Sequence, residues 1–183
     1  MRSSYPDARH HCLAFVVEVP GAQPVAGATD VYVGIRSGKH APAALVSLKA
    51  IPALGHLTPD SPTDAYEGKA EGGTADLGVL IGGVVTHGAV EDSEWMRRHF
   101  PAVHQACSGV GSRQVRNVAT LGGNICNAAP CADSAVGLLL YDATLILAGP
   151  AGERELPLSD FFVGPGETRL QPAEILKEIR VPA

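Results

Sequence analysis

An α+β fold is what this sequence predicts, and three observations carry that reading. Short apolar runs of strand character and stretches with helix-start signals follow one another without strict alternation. Two loops built from small residues, at 24–31 and 112–133, each run into a helix start. Hydrophobic residues make up 45% of the 183 and charged residues 18%, enough to bury the core of one domain or of two small lobes.

In chain order, residues 1–22 hold charge, the pair His10-His11 and one short apolar run, read as a strand at 15–19. That run is too short for a signal peptide, and Glu18 interrupts it. Pro24, Val25, Ala26, Gly27, Ala28, Thr29, Asp30 and Val31 read as strand end, tight loop and helix start, with Thr29 or Asp30 as cap and Gly38 as closer. Residues 44–48 form a short apolar strand. Residues 57–73, with Pro59, Pro62, Gly68, Gly72 and Gly73, read as a surface loop. Residues 77–85 are β-rich and broken by Gly82-Gly83. Ser93 caps a helix over 94–100, and Pro101 occupies the first turn of another that ends near Gly109. Trp95, Met96 and Phe100 go to the core. A helix at 135–141 precedes a strand at 144–148, a turn at Gly149-Pro150-Ala151-Gly152 and a returning strand at 153–156. A short helix at 158–162, a loop at 164–166 and an edge-like strand at 174–181 follow.

Charge and cysteine usage exclude several classes. The net charge is -5 and no basic cluster exceeds Arg97-Arg98, so neither nucleic acid nor an anionic membrane surface is a partner. No apolar run approaches the ~20 residues that span a bilayer. Cys12, Cys107, Cys126 and Cys131 lack C-x-x-C zinc spacing. Cys126 and Cys131 supply two ligands of a plant-type iron–sulfur pattern without the third. Four free thiols and no metal site are expected, in a reducing, cytoplasmic compartment.

The stretch 112–133 is the richest in chemistry. Gly122-Gly123 permits close backbone approach, and Thr120, Asn124 and Asn127 offer hydroxyl and amide groups beside it. Asp133 opens an apolar run and reads as a helix N-cap. A donor-rich loop entering a helix suits an anion, but on these residues alone a polar turn is the favoured reading, since Gly-Gly pairs commonly mark turns.

Together these residues resemble a known family. The segments Pro-Val-Ala-Gly-Ala-Thr-Asp-Val at 24–31 and Arg-Asn-Val-Ala-Thr-Leu-Gly-Gly-Asn-Ile-Cys-Asn-Ala-Ala-Pro-Cys-Ala-Asp-Ser-Ala at 116–135 are similar to the two FAD loops of the molybdenum hydroxylase flavoproteins. Thr86-His87, Phe161-Phe162 with Gly164, Gly166, Glu167 and Thr168, and Glu174-Ile175-Leu176 extend the likeness over 23–183. The second loop looks most like that of xanthine dehydrogenase FAD subunits.

The resemblance implies a PCMH-type FAD-binding fold, two α/β lobes with FAD in the cleft between them. It implies residues 1–183 as one such domain, with a shortened N-terminal lobe and the family's C-terminal domain absent. Pro24, Val25, Ala26, Gly27, Ala28, Thr29, Asp30 and Val31, with Ala119, Thr120, Leu121, Gly122 and Gly123, would wrap the pyrophosphate, the Gly123 N–H pointing at it. Asn127 and Asp133 would bond the ribose or adenine side, and Ile175 would line the cofactor. Ala28 stands where Gly or Asn is usual and would carry a Cβ at positive φ, at roughly 1 kcal/mol. The implied task is electron transfer, from [2Fe–2S] clusters of a small subunit, fed by a molybdopterin-binding large subunit, through FAD to NAD or O2. A remnant or assembly module that keeps the fold without flavin is the alternative, and a visible spectrum separates the two.

Overall fold

The computed structural model describes residues 18–60 and 77–183. The strand expected at 15–19 lies outside them as far as residue 17. Val19 is in a turn instead of a strand, its carbonyl accepting the Ala22 N–H at 3.0 Å.

Strand β1 (Ala22–Val25), helix α1 (Thr29–Arg36) and strand β2 (Ala44–Ser47) form a β-α-β unit. The strands are parallel, Ala22 opposite Ala44 and Val25 opposite Ser47, which is why a helix must cross between them. The cap of α1 is Ala28, not Thr29 or Asp30: its φ of 56° and ψ of 11° are left-handed, and no side chain caps the helix. The loop turns into the helix one residue early, so both capping candidates fall within the first turn. Gly38, at φ 72°, follows the helix as the expected closer.

Two 3₁₀ turns, Leu48–Ala50 and Pro52–Leu54, lead to β3 (Leu57–Asp60). These four residues, expected in a loop, pair antiparallel with β4 (Gly78–Gly82). Pro59 is compatible with this because β3 is the outer strand of its sheet. The rest of the expected loop, from 61, lies outside the described residues.

Helices α2 (His87–Glu91), α3 (Glu94–His99), α4 (Pro101–Ser108), α5 (Arg113–Arg116), α6 (Leu121–Asn127) and α7 (Asp133–Leu139) come next. Hydroxyls start four of them. Thr86 accepts from Ala89 N at 3.1 Å, Ser93 from Met96 N at 3.2 Å, Ser112 from Val115 N at 3.3 Å and Thr120 from Gly123 N at 3.1 Å. Pro101 opens α4 as expected. Asp133 is the first residue of α7 and not its cap, because the Ala132 carbonyl already accepts the Ala135 N–H at 3.0 Å.

Strands β5 (Thr144–Gly149) and β6 (Gly152–Pro157) make the expected hairpin. After α8 (Leu158–Phe161), β7 (Phe162–Gly164) and β8 (Glu167–Thr168), the chain enters β9 (Ile175–Val181). The large sheet has the order β3-β4-β9-β5-β6, so β9 is its centre and not an edge. Its charged members suggest an edge, yet each has a partner. Glu178, only 8% exposed, accepts from Arg180 Nε at 2.9 Å and bonds His56 Nε2 at 3.0 Å, while Lys177 donates to Glu153 at 2.8 Å.

The helices and the large sheet share one core that includes Ile81, Met96, Phe100, Leu121, Ile125, Leu145 and Ile179. Trp95 and Tyr141 flank Phe100 at ring-centroid distances of 5.5 and 5.3 Å. A second cluster of Leu48, Ile51, Leu54, Ala148 and Ile175, against which Val46 of β2 packs, joins the β-α-β unit and the turns after it to the large sheet.

The strained cap gives a direct test. Ala28→Gly removes the Cβ from a left-handed backbone and is expected to stabilise the chain by about 1 kcal/mol, raising Tm by about 2–4 °C in calorimetry. An unchanged or lower Tm would show that residue 28 holds no such strain.

Candidate functional site

The β1–α1 loop meets the segment leading into α6. Gly27 is what lets them touch: a Cβ there would lie 2.4 Å from the Val118 carbonyl oxygen and 2.8 Å from Ala119 Cα. Between the two segments runs a cleft of about 440 Å³. Its second wall is fastened to the main body by backbone bonds. His87 N donates to Ala119 O at 3.0 Å, Leu121 N to Val85 O at 2.9 Å, and Thr86 bridges Thr120.

Of the residues singled out in the sequence, all eight from Pro24 to Val31 line this cleft, as do Ala119, Thr120, Gly123 and Asn127. Leu121 and Gly122 do not; both are buried. The paired glycines serve different ends. A Cβ on Gly122 would meet Gly83 O at 2.4 Å, whereas one on Gly123 would meet only Thr120 Oγ1, at 2.8 Å, on the cleft side. The Gly123 N–H is given to that hydroxyl as a helix cap. It is therefore the Cα face of Gly123, and not its N–H, that is open to a ligand. Asp133 lies elsewhere, in a groove between α4 and α7, and Ile175 is 2% exposed in the second core cluster.

The cleft also takes Gln23, Val33, Val110, Val115, Asn124 and Cys126. The helical repeat could have placed one of these, Asn124, which the sequence had already marked as an amide beside the glycines. In a helix beginning at 121, positions 120, 123, 124 and 127 share one face, and 121, 122 and 125 share the face turned to the core. Asn124 accepts from the Ser134 hydroxyl through Oδ1, which leaves its Nδ2 as the donor it brings to the cleft.

Charge is arranged around the cleft more than in it. Among the described residues Asp30 is the one charged side chain lining it, and Asn127 Nδ2 donates to Asp30 Oδ2 at 3.2 Å. The nearby arginines are committed. Arg116 holds Glu91 through Nε at 2.8 Å and Nη2 at 3.0 Å, and donates through Nη1 to the carbonyls of Val110 and Gly111, both at 3.1 Å. Arg113 grips Asp92 at 2.9 and 2.6 Å. These pairs tie α5, with Val115, to α2. Burial pushes the Cys126 thiol up to about 12, so it stays protonated in the cleft wall. Cys107, Cys126 and Cys131 are free thiols, and no group of metal-binding side chains occurs among the described residues. The lining therefore offers a ligand backbone, hydroxyl and amide groups beside apolar side chains, and no cation among the described residues.

Behind the second wall sits His87, fully buried, with neither ring nitrogen bonded among the described residues. Burial, helped by the charge of Arg116, lowers its pKa from 6.5 to about 4. Unfolded, the imidazole takes up a proton below about 6.5; folded, only near 4. Stability is therefore full above pH 6.5 and is lost as the pH falls toward 4, by about 3 kcal/mol. Denaturant titrations across that window should show the loss, and His87→Leu should flatten it. An equally steep decline in the variant would assign the effect to other groups.

A family model described as "FAD binding domain in molybdopterin dehydrogenase" matches residues 2–183. The chain is 35% identical over 163 residues to the xanthine dehydrogenase FAD-binding subunit of Escherichia coli O157:H7, covering 89% of this chain and 51% of that protein. To the nicotinate dehydrogenase FAD-subunit of Eubacterium barkeri it is 29% identical over 158 residues, 85% of this chain and 48% of that one. The chain thus spans about half the length of these relatives. A crystal structure of cyanide-inactivated Cu,Mo-CO dehydrogenase superimposes with a TM-score of 0.83 at 26% identity, over 96% of this chain and 56% of that one. The carbon monoxide dehydrogenase of Hydrogenophaga pseudoflava lacking the Mo-pyranopterin moiety gives 0.83 at 26%, over 97% and 57%.

Proposed function

The chain belongs to the family of FAD-binding domains in molybdopterin dehydrogenases, and we propose that it serves as the flavin-carrying electron-transfer part of a molybdenum hydroxylase complex. FAD is the cofactor of this family. The observation that carries the reading is the cleft, which brings both glycine loops together although they are far apart in sequence.

The residues present fit the cofactor. Gly27 keeps the walls close, and the bare Cα face of Gly123 leaves room for a phosphate-sized group where any side chain would stand. We assign FAD contact to the lining set: Pro24, Val25, Ala26, Gly27, Ala28, Thr29, Asp30 and Val31 on one wall, Ala119, Thr120, Gly123 and Asn127 on the other. Leu121, Gly122, Asp133 and Ile175 take a supporting part. Bound FAD supplies one- and two-electron exchange. The chain's own groups bind and orient it: neutral donors face the pyrophosphate, and valines 33, 110 and 115 exclude water from an apolar part of the dinucleotide. No described helix is long and apolar enough to cross a membrane. In the complex this flavin would stand between a [2Fe–2S] small subunit, itself beside a molybdopterin-binding large subunit, and an acceptor, NAD or O2. A xanthine dehydrogenase-like role is suggested by the name of the Escherichia coli relative, but relatives are also named for nicotinate and carbon monoxide. The remnant alternative finds no support in a cleft that keeps both loops.

The purified chain is expected to bind FAD and absorb near 450 nm. Gly123→Val should lose the colour while keeping its circular dichroism, with only the cap bond, about 1 kcal/mol, lost in stability. Gly122→Ala should do the reverse: a large drop in Tm, with flavin retained in whatever folds. Full FAD binding by Gly123→Val would remove the cleft from the proposal.

A further inference from the structure

The second wall of the cleft hangs on a short seam. His87 N donates to Ala119 O at 3.0 Å, Leu121 N donates to Val85 O at 2.9 Å, and Thr86 bridges Thr120 between them. Ala119 and Thr120 also line the cleft. At this seam the His87 imidazole is fully buried, and neither ring nitrogen has a partner among the described residues. A neutral ring tolerates such a place; an imidazolium, with two N–H donors and no acceptor, does not. Among the described residues no neighbouring element offers it a free carboxylate. Glu91 of α2 and Asp92 after it are held by Arg116 and Arg113 of α5. Helix α3 carries His99 and Glu94, the latter bound to Arg97 and Arg98. Helix α4 carries His104, whose Nε2 donates to the Glu91 carbonyl at 2.9 Å, and Cys107, whose buried thiol is pushed up to about 12 and stays neutral. Residues 117–121 bring no charge.

We propose that His87 is an acid-triggered latch: its protonation undoes the seam between residues 85–87 and 119–121, and the second wall then lets the bound flavin go. This rests on the FAD reading given above. The residue that carries the ring also makes one of the seam's bonds through its own N–H, so a displacement of the ring toward water strains that bond first. The seam is small, one bridge and two backbone bonds, and α2 behind it is only five residues long. Opening it costs less than unfolding the sheet and its core, and local openings of this size precede global unfolding. The direction is fixed by linkage. The closed seam takes up a proton on His87 only near pH 4, whereas an open, solvated ring does so at 6.5. Between these values each opening gains a proton, so the open population grows as the pH falls. The charge of Arg116 acts in the same sense, since it repels an imidazolium in the closed seam. His87 thus acts through the wall and touches no part of the cofactor itself.

The test loads the 183-residue chain with FAD at pH 8, dilutes it into buffers from pH 7 to pH 5, and follows flavin release by fluorescence with circular dichroism at each pH. Release through a rare open state runs at a rate proportional to the population of that state. The unchanged chain should therefore release FAD about twentyfold faster at pH 5 than at pH 7, the factor set by proton uptake at 6.5 in the open seam and near 4 in the closed one. Its circular dichroism should not change over that range. His87→Leu and His87→Gln should bind FAD at pH 8 and release it at nearly the same rate throughout. Both leave His99, His104 and the paired acids in place, so what they lose belongs to His87. The glutamine variant keeps a polar, uncharged group should leucine fail to fold. A release rate that stays flat in the unchanged chain, one that rises as steeply in the variants, or release that coincides with loss of circular dichroism in the unchanged chain would each overturn the proposal. An unchanged chain that binds no FAD at pH 8 would overturn the function reading as well, whereas normal binding with pH-independent release overturns this inference alone.

Discussion

The contact of Gly27 with the backbone of Val118 and Ala119 is the constraint on which the cleft depends. The β-α-β unit builds little core of its own: every residue of β1 is half-buried, β2 alternates between half-buried and exposed, and only Gly34 is buried in α1. Such a unit must lean on the larger body. It does so on the apolar side through Val46, packed on the cluster of Leu48, Ile51, Leu54, Ala148 and Ile175, and on the polar side through the bare backbone at residue 27. A Cβ 2.4 Å from the Val118 oxygen would push the walls apart and widen the cleft at its floor. The packing of the small lobe and the shape of the binding site are thus one problem, solved by one missing methyl.

The electrostatics follow from the same geometry. A loop held this close to a second loop leaves no volume for lysine or arginine side chains between them. The arginines of α5 turn away and lock onto Glu91 and Asp92, which fixes Val110 and Val115 at the cleft's edge. The ligand's charge then falls to dipoles already in place. Behind the wall His87 stays neutral, and the cation near it, Arg116, is paired with Glu91. A carboxylate at the rim is compatible with this only beside an uncharged part of the ligand.

Much of this was legible in the sequence, because the signals are local. A hydroxyl followed three residues later by a free N–H starts a helix, and Ser93 does so as read, whereas the helix that Thr120 starts falls within the stretch 112–133 that reads as a loop. A glycine loop running into a helix asks for positive φ or close approach, and both occur, at Ala28 and at Gly27. The two loops, most of the helices and the β5–β6 turn were determined at that level, and with them the family resemblance. What the tertiary structure alone decided depends on partners distant in the chain. Strand β9 became central because Ile175, Leu176, Ile179 and Val181 are buried between β4 and β5, while distant acids and a histidine satisfy its charges. The division of labour between Gly122 and Gly123 was set by which one faces Gly83. Asp133 and Ile175 fell outside the cleft, and Asp30 met Asn127 across it, because sequence spacing carries no information on which surfaces of two separate elements turn toward each other.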